Sequence, residues 1–296
     1  RCSFRLSQLQ TNAHWLVLVS RHPLYRAVQQ CGTSTLLDFY SATERGRPVH
    51  VCVSLDKRNA ERDIARLRRM LQALTSGEIV ASEAEAVLAS ARALAPGLAM
   101  RCIGSTGGVD LSGLVGLLLS ARAMEANNSW LLLALDQHRD LLSGRGQRSD
   151  LLRVRIVEKN VYIDVIEAKF STAAISPPSS AVIEAQQQLR STIERLAQFA
   201  LEHPLILRTR SRLARAIVQR IHLGVSDAAR ASRARELLDA VADPHVKIVI
   251  GGSASASIRA WSVDATTQEV ATVLPGGESL RIHSRDATLQ ELRALS

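Results

Sequence analysis

Two apolar runs, Leu151–Val157 and Val161–Phe170, are separated by only Glu158-Lys159-Asn160. So short a break between strand-like segments leaves little besides a tight antiparallel hairpin, and Asn160 is the residue there suited to positive φ. The hairpin restricts the register to two choices. A turn at 158–159 pairs 157 with 160 and hence 150 with 167, whereas a turn at 159–160 pairs 150 with 169. Either choice sets Asp150 beside Glu167 and Lys169, with directly opposed Cβ atoms about 4.5–5.5 Å apart. Strand alternation sends Glu167 and Lys169 to one face, with the Ala168 carbonyl between them. Two carboxylates and a backbone oxygen suit a hard cation such as Mg²⁺, and an ammonium stands close by. That is an arrangement for metal-assisted phosphodiester hydrolysis.

The competing account is a solvated ion pair at a strand end, worth roughly 0–1 kcal/mol. Three features weigh against it. The chain has four lysines (Lys57, Lys159, Lys169 and Lys247) against 33 arginines, so a lysine at this spot is conspicuous. The second strand is apolar on both faces apart from Asp164, which places the charges at the end of a buried strand, where they are costly. The register also brings the acids together.

Length and composition set the frame. With 296 residues, 46% of them hydrophobic, the chain can form one large or two smaller domains. A net charge of +9 carried almost wholly by arginine suits a polyanionic partner, because guanidinium forks match phosphate oxygens in pairs. Aromatic residues make up 3%, too few for a single-strand stacking platform. Cys2, Cys31, Cys52 and Cys102 lack metal-ligand spacing and read as thiols of a reducing, cytoplasmic setting. No apolar run reaches membrane-spanning length, so no membrane association is expected. The chain opens on Arg1 and is expected to be a piece of a longer polypeptide.

Along the chain, strands are expected at Trp15–Val19, Leu36–Tyr40 and Val49–Ser54, with helices near Pro23–Gln30, at Lys57–Leu74 and at Ser82–Ala95. Leu98–Ile103 reads as a strand, Gly104–Gly108 as a loop, Leu111–Ala126 as a helix and Trp130–Leu135 as a strand. After the hairpin, helices are expected at Ala181–Leu201, Leu205–Leu223 and Ser226–Val241. Further strands follow at Val246–Ile250, Ile258–Val263, Glu269–Val273 and Leu280–His283. The fold class is α/β, a mixed β-sheet flanked by helices. Three parts are expected: an N-terminal α/β unit over 1–96, a core over 97–252 with a helical insertion near 204–242, and a β-rich extension or linker over 253–296.

Asp150, Glu167 and Lys169 in this setting resemble the PD-(D/E)xK, or restriction-endonuclease-like, nuclease superfamily, with Ser149 where the proline usually stands. The resemblance implies a restriction-endonuclease-like core that cleaves DNA with Mg²⁺, Mn²⁺ being able to substitute. Asp150, Glu167 and Ala168 would hold the metal, and Lys169 would orient water or stabilise charge at phosphorus. Glu125, on the preceding helix, is the candidate for the additional acid found in many members. Gln186, Gln187 and Gln188 offer a glutamine from the following helix, Gln187 being the choice taken as a nucleic-acid contact. Arg145 and Arg148, in the loop before Asp150, and Arg190 are candidate contacts to duplex DNA. Arg195, Arg208, Arg210, Arg212, Arg215 and Arg220 form a further basic group.

A narrower similarity runs from Trp15-Leu16-Val17 through Leu135–Asp140 to the Glu167-Ala168-Lys169 strand. It is to the nuclease-like region attached to HerA-type ATPases of bacterial anti-phage defence, including phosphorothioation-linked restriction systems. This implies an ATPase or translocase module on the same polypeptide or complex. The alternative function is an inactive nuclease-like domain that binds nucleic acid or that ATPase. Other motifs fail on inspection: His138-Arg139-Asp140-Leu141 lacks the asparagine of a kinase catalytic loop, and no Gly-Lys pair supplies a Walker A loop.

Overall fold

The structure is a computed structural model that describes residues 15–20, 35–44, 47–55, 57–77, 81–94, 98–104, 108–125, 130–135, 141, 149–201, 210–217, 228–250 and 256–295. For 15–20, 35–44 and 47–55 it describes the backbone alone. Strands β1 (Trp15–Ser20), β2 (Thr35–Glu44) and β3 (Arg47–Leu55) form an antiparallel sheet in the order β1-β3-β2. Four helices follow: α1 (Lys57–Leu74), α2 (Ala81–Leu94), α3 (Leu98–Gly104) and α4 (Gly108–Glu125). The α3 segment corrects the sequence expectation of a strand. Its buried residues are Leu98, Ala99, Cys102 and Ile103, a spacing that lines one face of a helix and would be split between two faces of a strand.

The second sheet has seven strands and carries the candidate site. Its strands are β4 (Trp130–Ala134), β5 (Leu151–Val157), β6 (Asn160–Ser171), β7 (Ile248–Ile250), β8 (Ala256–Ser262), β9 (Val270–Val273) and β10 (Ser279–His283). The order is β4-β5-β6-β8-β10-β9, with β7 also beside β6. Neighbours are antiparallel in β4/β5, β5/β6 and β10/β9, and parallel in β6/β7, β6/β8 and β10/β8. The sheet is therefore mixed, as expected. The part over 253–296, expected to form an extension, instead supplies three of its strands and the helix α7 (Arg285–Arg293). Ser284 caps α7: its Oγ accepts from the Ala287 N–H.

Each face of this sheet is covered. On one side, Leu151, Ile166 and Trp261 pack against α1 to α4 and Leu289 and Leu292 of α7. Helices α1 and α2 thus share a core with the sheet, although they lie within the part expected to be a separate N-terminal unit. On the other side, Val161, Ile163, Val165, Ile258 and Ile282 pack against α5 (Ser180–Leu201), the helical residues 210–217, and α6 (Ala228–Ala242). Strand β6 is apolar on both faces because helices cover both. The helix expected near 23–30 lies outside the described residues.

Helix α4 approaches β6 closely because Gly116 has no side chain. A Cβ there would stand 3.1 Å from the Lys169 carbonyl carbon and from Phe170 Cβ. This contact lies behind the Glu167-Ala168-Lys169 segment and fixes its depth in the molecule.

Candidate active site

The hairpin adopts the first of the two registers. Val157 pairs with Asn160 and Leu151 with Ile166, so the next step of the ladder sets Asp150 opposite Glu167. The turn residues are Glu158 (φ 49°) and Lys159 (φ 65°), which moves the positive φ off Asn160. Two consecutive left-handed residues are the signature of a type I′ turn, whose twist matches that of the flanking strands. Neither residue favours that conformation, so the pairing of β5 with β6 imposes it.

Asp150 is held at both ends. Its backbone carbonyl accepts from the Leu135 N–H at 2.9 Å, extending the β4/β5 ladder by one step. Its carboxylate Oδ2 accepts from the Ala168 N–H at 2.9 Å. Ser149, just before it, is buried, and its N–H donates to Thr192 Oγ1 on α5 at 2.9 Å. Thr192 in turn donates to the Gln188 carbonyl at 2.8 Å. The position of the first acid is therefore tied to the same helix that faces the second.

Glu167 is 2% exposed and lies on the α5 side of the sheet, in phase with Ile163 and Val165 along β6. Burial, then the neighbouring Asp150 charge, pushes its carboxyl from 4.5 up to about 9, against the opposing pull of Lys169. One of its oxygens, Oε1, meets Lys169 Nζ at 3.0 Å. The other, Oε2, is buried and meets no partner in hydrogen-bond geometry, although the Ser149 hydroxyl, itself unpartnered, is near enough to pull the carboxyl pKa down.

Lys169 lies two residues on, on the same face. Its ammonium donates to Gln188 Oε1 at 2.9 Å and stands 3.8 Å from Glu184 Oε1, both on α5. Gln188 also donates to Glu184 Oε1 at 3.2 Å, so the two α5 side chains form one polar wall of the site. An ammonium carries three N–H donors, and Glu167 and Gln188 engage two of them.

The other expected contacts are distributed differently. Of the three glutamines, Gln188 reaches the site; Gln187 is exposed, and Gln186 donates to Glu278 Oε2 at 3.3 Å. Arg190 is drawn to the same Glu278, donating through Nε at 2.8 Å, which raises the already high guanidinium pKa. Arg210 donates to the carbonyls of Val241, Asp243 and Val246, at 3.1, 2.7 and 2.5 Å, and so fastens the end of α6 to the approach of β7. Arg145, Arg148, Arg208 and Arg220 lie outside the described residues, as does the side chain of Glu125. The backbone of Glu125 ends α4, nine residues beyond Gly116 and about 13 Å further along the axis.

Among the described residues, no group of three or more His, Cys, Asp or Glu side chains is arranged to hold a metal ion. The donor set nonetheless fits a Mg²⁺ ion, which commonly takes one or two carboxylates and fills its other positions with water and substrate phosphate. An orphaned carboxylate oxygen and two adjacent acids that repel one another are features that a divalent cation would relieve. No family model, no curated protein and no solved structure matches this chain.

Proposed function

We propose that this chain is a Mg²⁺-dependent nuclease domain that hydrolyses DNA phosphodiester bonds. The observation supporting it most strongly is a carboxyl group 2% exposed, with one oxygen unpartnered, beside a second acid and 3.0 Å from a lysine ammonium. A buried acid so placed destabilises the fold by itself, and a site that takes up a cation gives it a purpose.

Asp150 and Glu167, with the Ala168 carbonyl, would hold the cation, which supplies charge neutralisation at the phosphate and a more acidic bound water. The Ala168 N–H fixes the orientation of the Asp150 carboxylate. Lys169 carries the positive charge toward the non-bridging phosphate oxygens, its head steadied by Glu167 and Gln188. Gln188 is a positioning residue, because it acts through Lys169. The arginine-rich composition supplies the attraction to a polyanion. Membership of an anti-phage restriction system and partnership with an ATPase or translocase are part of this proposal. No helix among the described residues is long and apolar enough to cross a membrane.

The test is incubation of duplex DNA with the protein and Mg²⁺ or Mn²⁺, paired with calorimetric titration of the metal alone. Cleavage that disappears in Asp150→Ala and Lys169→Met, with metal binding lost only in the first, is the expected result. Metal binding without cleavage would favour the inactive, nucleic-acid-binding alternative. Cleavage that survives both substitutions would exclude the site.

A further inference from the structure

A second polar site lies on the opposite face of the seven-stranded sheet, where α4 and α7 cover β8 and β10. It is a cavity of about 560 Å³, and its charged lining is Arg122, Arg259, Arg281, Glu269 and Glu291, with His283 among them. Its origin is a matter of register. β8 and β10 run parallel, and Arg281 stands directly beside Arg259. Like charges opposed on neighbouring strands, whose backbones are about 4.8 Å apart, repel one another.

The protein compensates this pair incompletely. Glu291 lies 3.5 Å from Arg122, which takes up part of its charge. Glu269 is turned toward His283, 3.9 Å from Nδ1. Burial, then Arg281 and Arg153, lowers the Arg259 guanidinium to about 10 against the opposing pull of Glu291, so it remains a cation at neutral pH in a place that disfavours cations. Arg153 itself is committed to Asp164 at 2.6 Å.

His283, which lines the cavity, is backed by a buried contact chain. Trp261 donates through Nε1 to Ser120 Oγ at 2.8 Å, and the His283 ring stacks on the indole at 3.6 Å with planes 4° apart. His283 is 7% exposed, and its Nε2 is buried with no hydrogen-bond partner. Burial, then Arg259 and Arg281, lowers its pKa to about 3, so the ring is neutral and adds a hydrogen-bonding group without adding charge.

We propose that this cavity binds a terminal phosphate monoester, gripped between Arg259 and Arg281 with His283 at its edge. A monoester carries a charge of about −1.5 to −2 at neutral pH and three acceptor oxygens, which matches two guanidinium forks. A diester offers two non-bridging oxygens in place of three and so fills the two forks less completely. The volume exceeds that of a phosphate group and falls in the range of sites for nucleotide-sized molecules. The remaining wall is Gln290 with Ala123, Ala287 and Ala294, whose small side chains leave room for an organic moiety. The site stands apart from Glu167 and Lys169, which face α5, so it holds whether or not the chain is a nuclease.

Two sources present this chemistry: a free nucleotide, or the 5′-phosphorylated end of a strand. The experiment is calorimetric titration of the full chain with AMP, adenosine, and a short oligonucleotide with and without a 5′-phosphate, with Trp fluorescence as a second readout. AMP or the phosphorylated oligonucleotide is expected to bind at least tenfold more tightly than its unphosphorylated counterpart. The stronger of the two identifies the source. Arg281→Gln, a change at an exposed side chain, is expected to weaken that binding at least tenfold, and Arg259→Gln to do the same. No preference for the phosphorylated ligands, or binding unchanged in Arg281→Gln, would overturn the proposal.

Discussion

Glu167→Gln is expected to stabilise the metal-free protein at neutral and alkaline pH and to remove its response to divalent cations. The Glu167 carboxyl is pushed from 4.5 to about 9 by burial and then by Asp150, so the folded chain keeps it protonated. The unfolded chain ionises it near its ordinary value. Between those two pH values the folded state holds one proton more than the unfolded state, and stability falls as pH rises through that window. At pH 7 the gap above 4.5 is about 2.5 units, which at about 1.36 kcal/mol each is on the order of 3 kcal/mol. Interaction with Asp150 spreads this titration over the pair. Glutamine stays neutral and keeps an oxygen for Lys169. Urea denaturation in EDTA at pH 5, 7 and 8.5 measures the effect. Wild type should weaken across the series, and the variant should exceed it by about 3 kcal/mol at pH 7 and by little near pH 5. Added Mg²⁺ should restore wild type alone. Matching pH profiles for the two proteins would refute the reasoning.

Further outcomes follow from the same geometry. Glu158→Asn with Lys159→Gly, placing turn residues suited to φ of 49° and 65°, should stabilise the chain by about 1 kcal/mol in denaturant titrations. Gly116→Ala drives a methyl group against Lys169 and Phe170 and should cost about 1–3 kcal/mol, with a loss of metal affinity by calorimetry. Arg210→Lys keeps the charge but loses the fork that meets three carbonyls; it should lower stability by about 1–3 kcal/mol and leave the salt dependence of DNA binding unchanged. Asp164→Ala leaves Arg153 and Arg155 without the carboxylate oxygen they share at 2.6 and 3.0 Å, and should cost about 2–3 kcal/mol by the same measurement.

The grouping of Asp150, Glu167 and Lys169 was legible in the sequence because these residues are near neighbours along the chain. A three-residue break between apolar runs leaves few registers, and strand alternation then fixes which side chains share a face. The turn conformation was not legible: Glu158 and Lys159 are forced into it by the pairing of their flanks. Gln188 was one of three adjacent candidates, and helix phase distinguishes it, since Glu184 and Gln188 are four apart and border the buried Ala185 and Leu189. The α3 segment misleads because a short apolar run carries too few periods to separate helix from strand. Helix α7 left a usable signal in Ser284 as N-cap with Asp286 in its first turn. The Arg259–Arg281 pair was beyond reach, because it depends on which distant strands become neighbours. The same holds for the place of β8, β9 and β10 in the sheet.

The strand that bears Glu167 has an asymmetric history. On one side it zips against β5 through a two-residue turn, while on the other Lys169 must wait for Ala260. A chain emerging from the ribosome therefore carries an open, sticky border along its acidic segment until β8 has been made. Closing that border late slows assembly, and Glu167 reaches its buried setting only after the helical segments described between β6 and β8 have already left the tunnel.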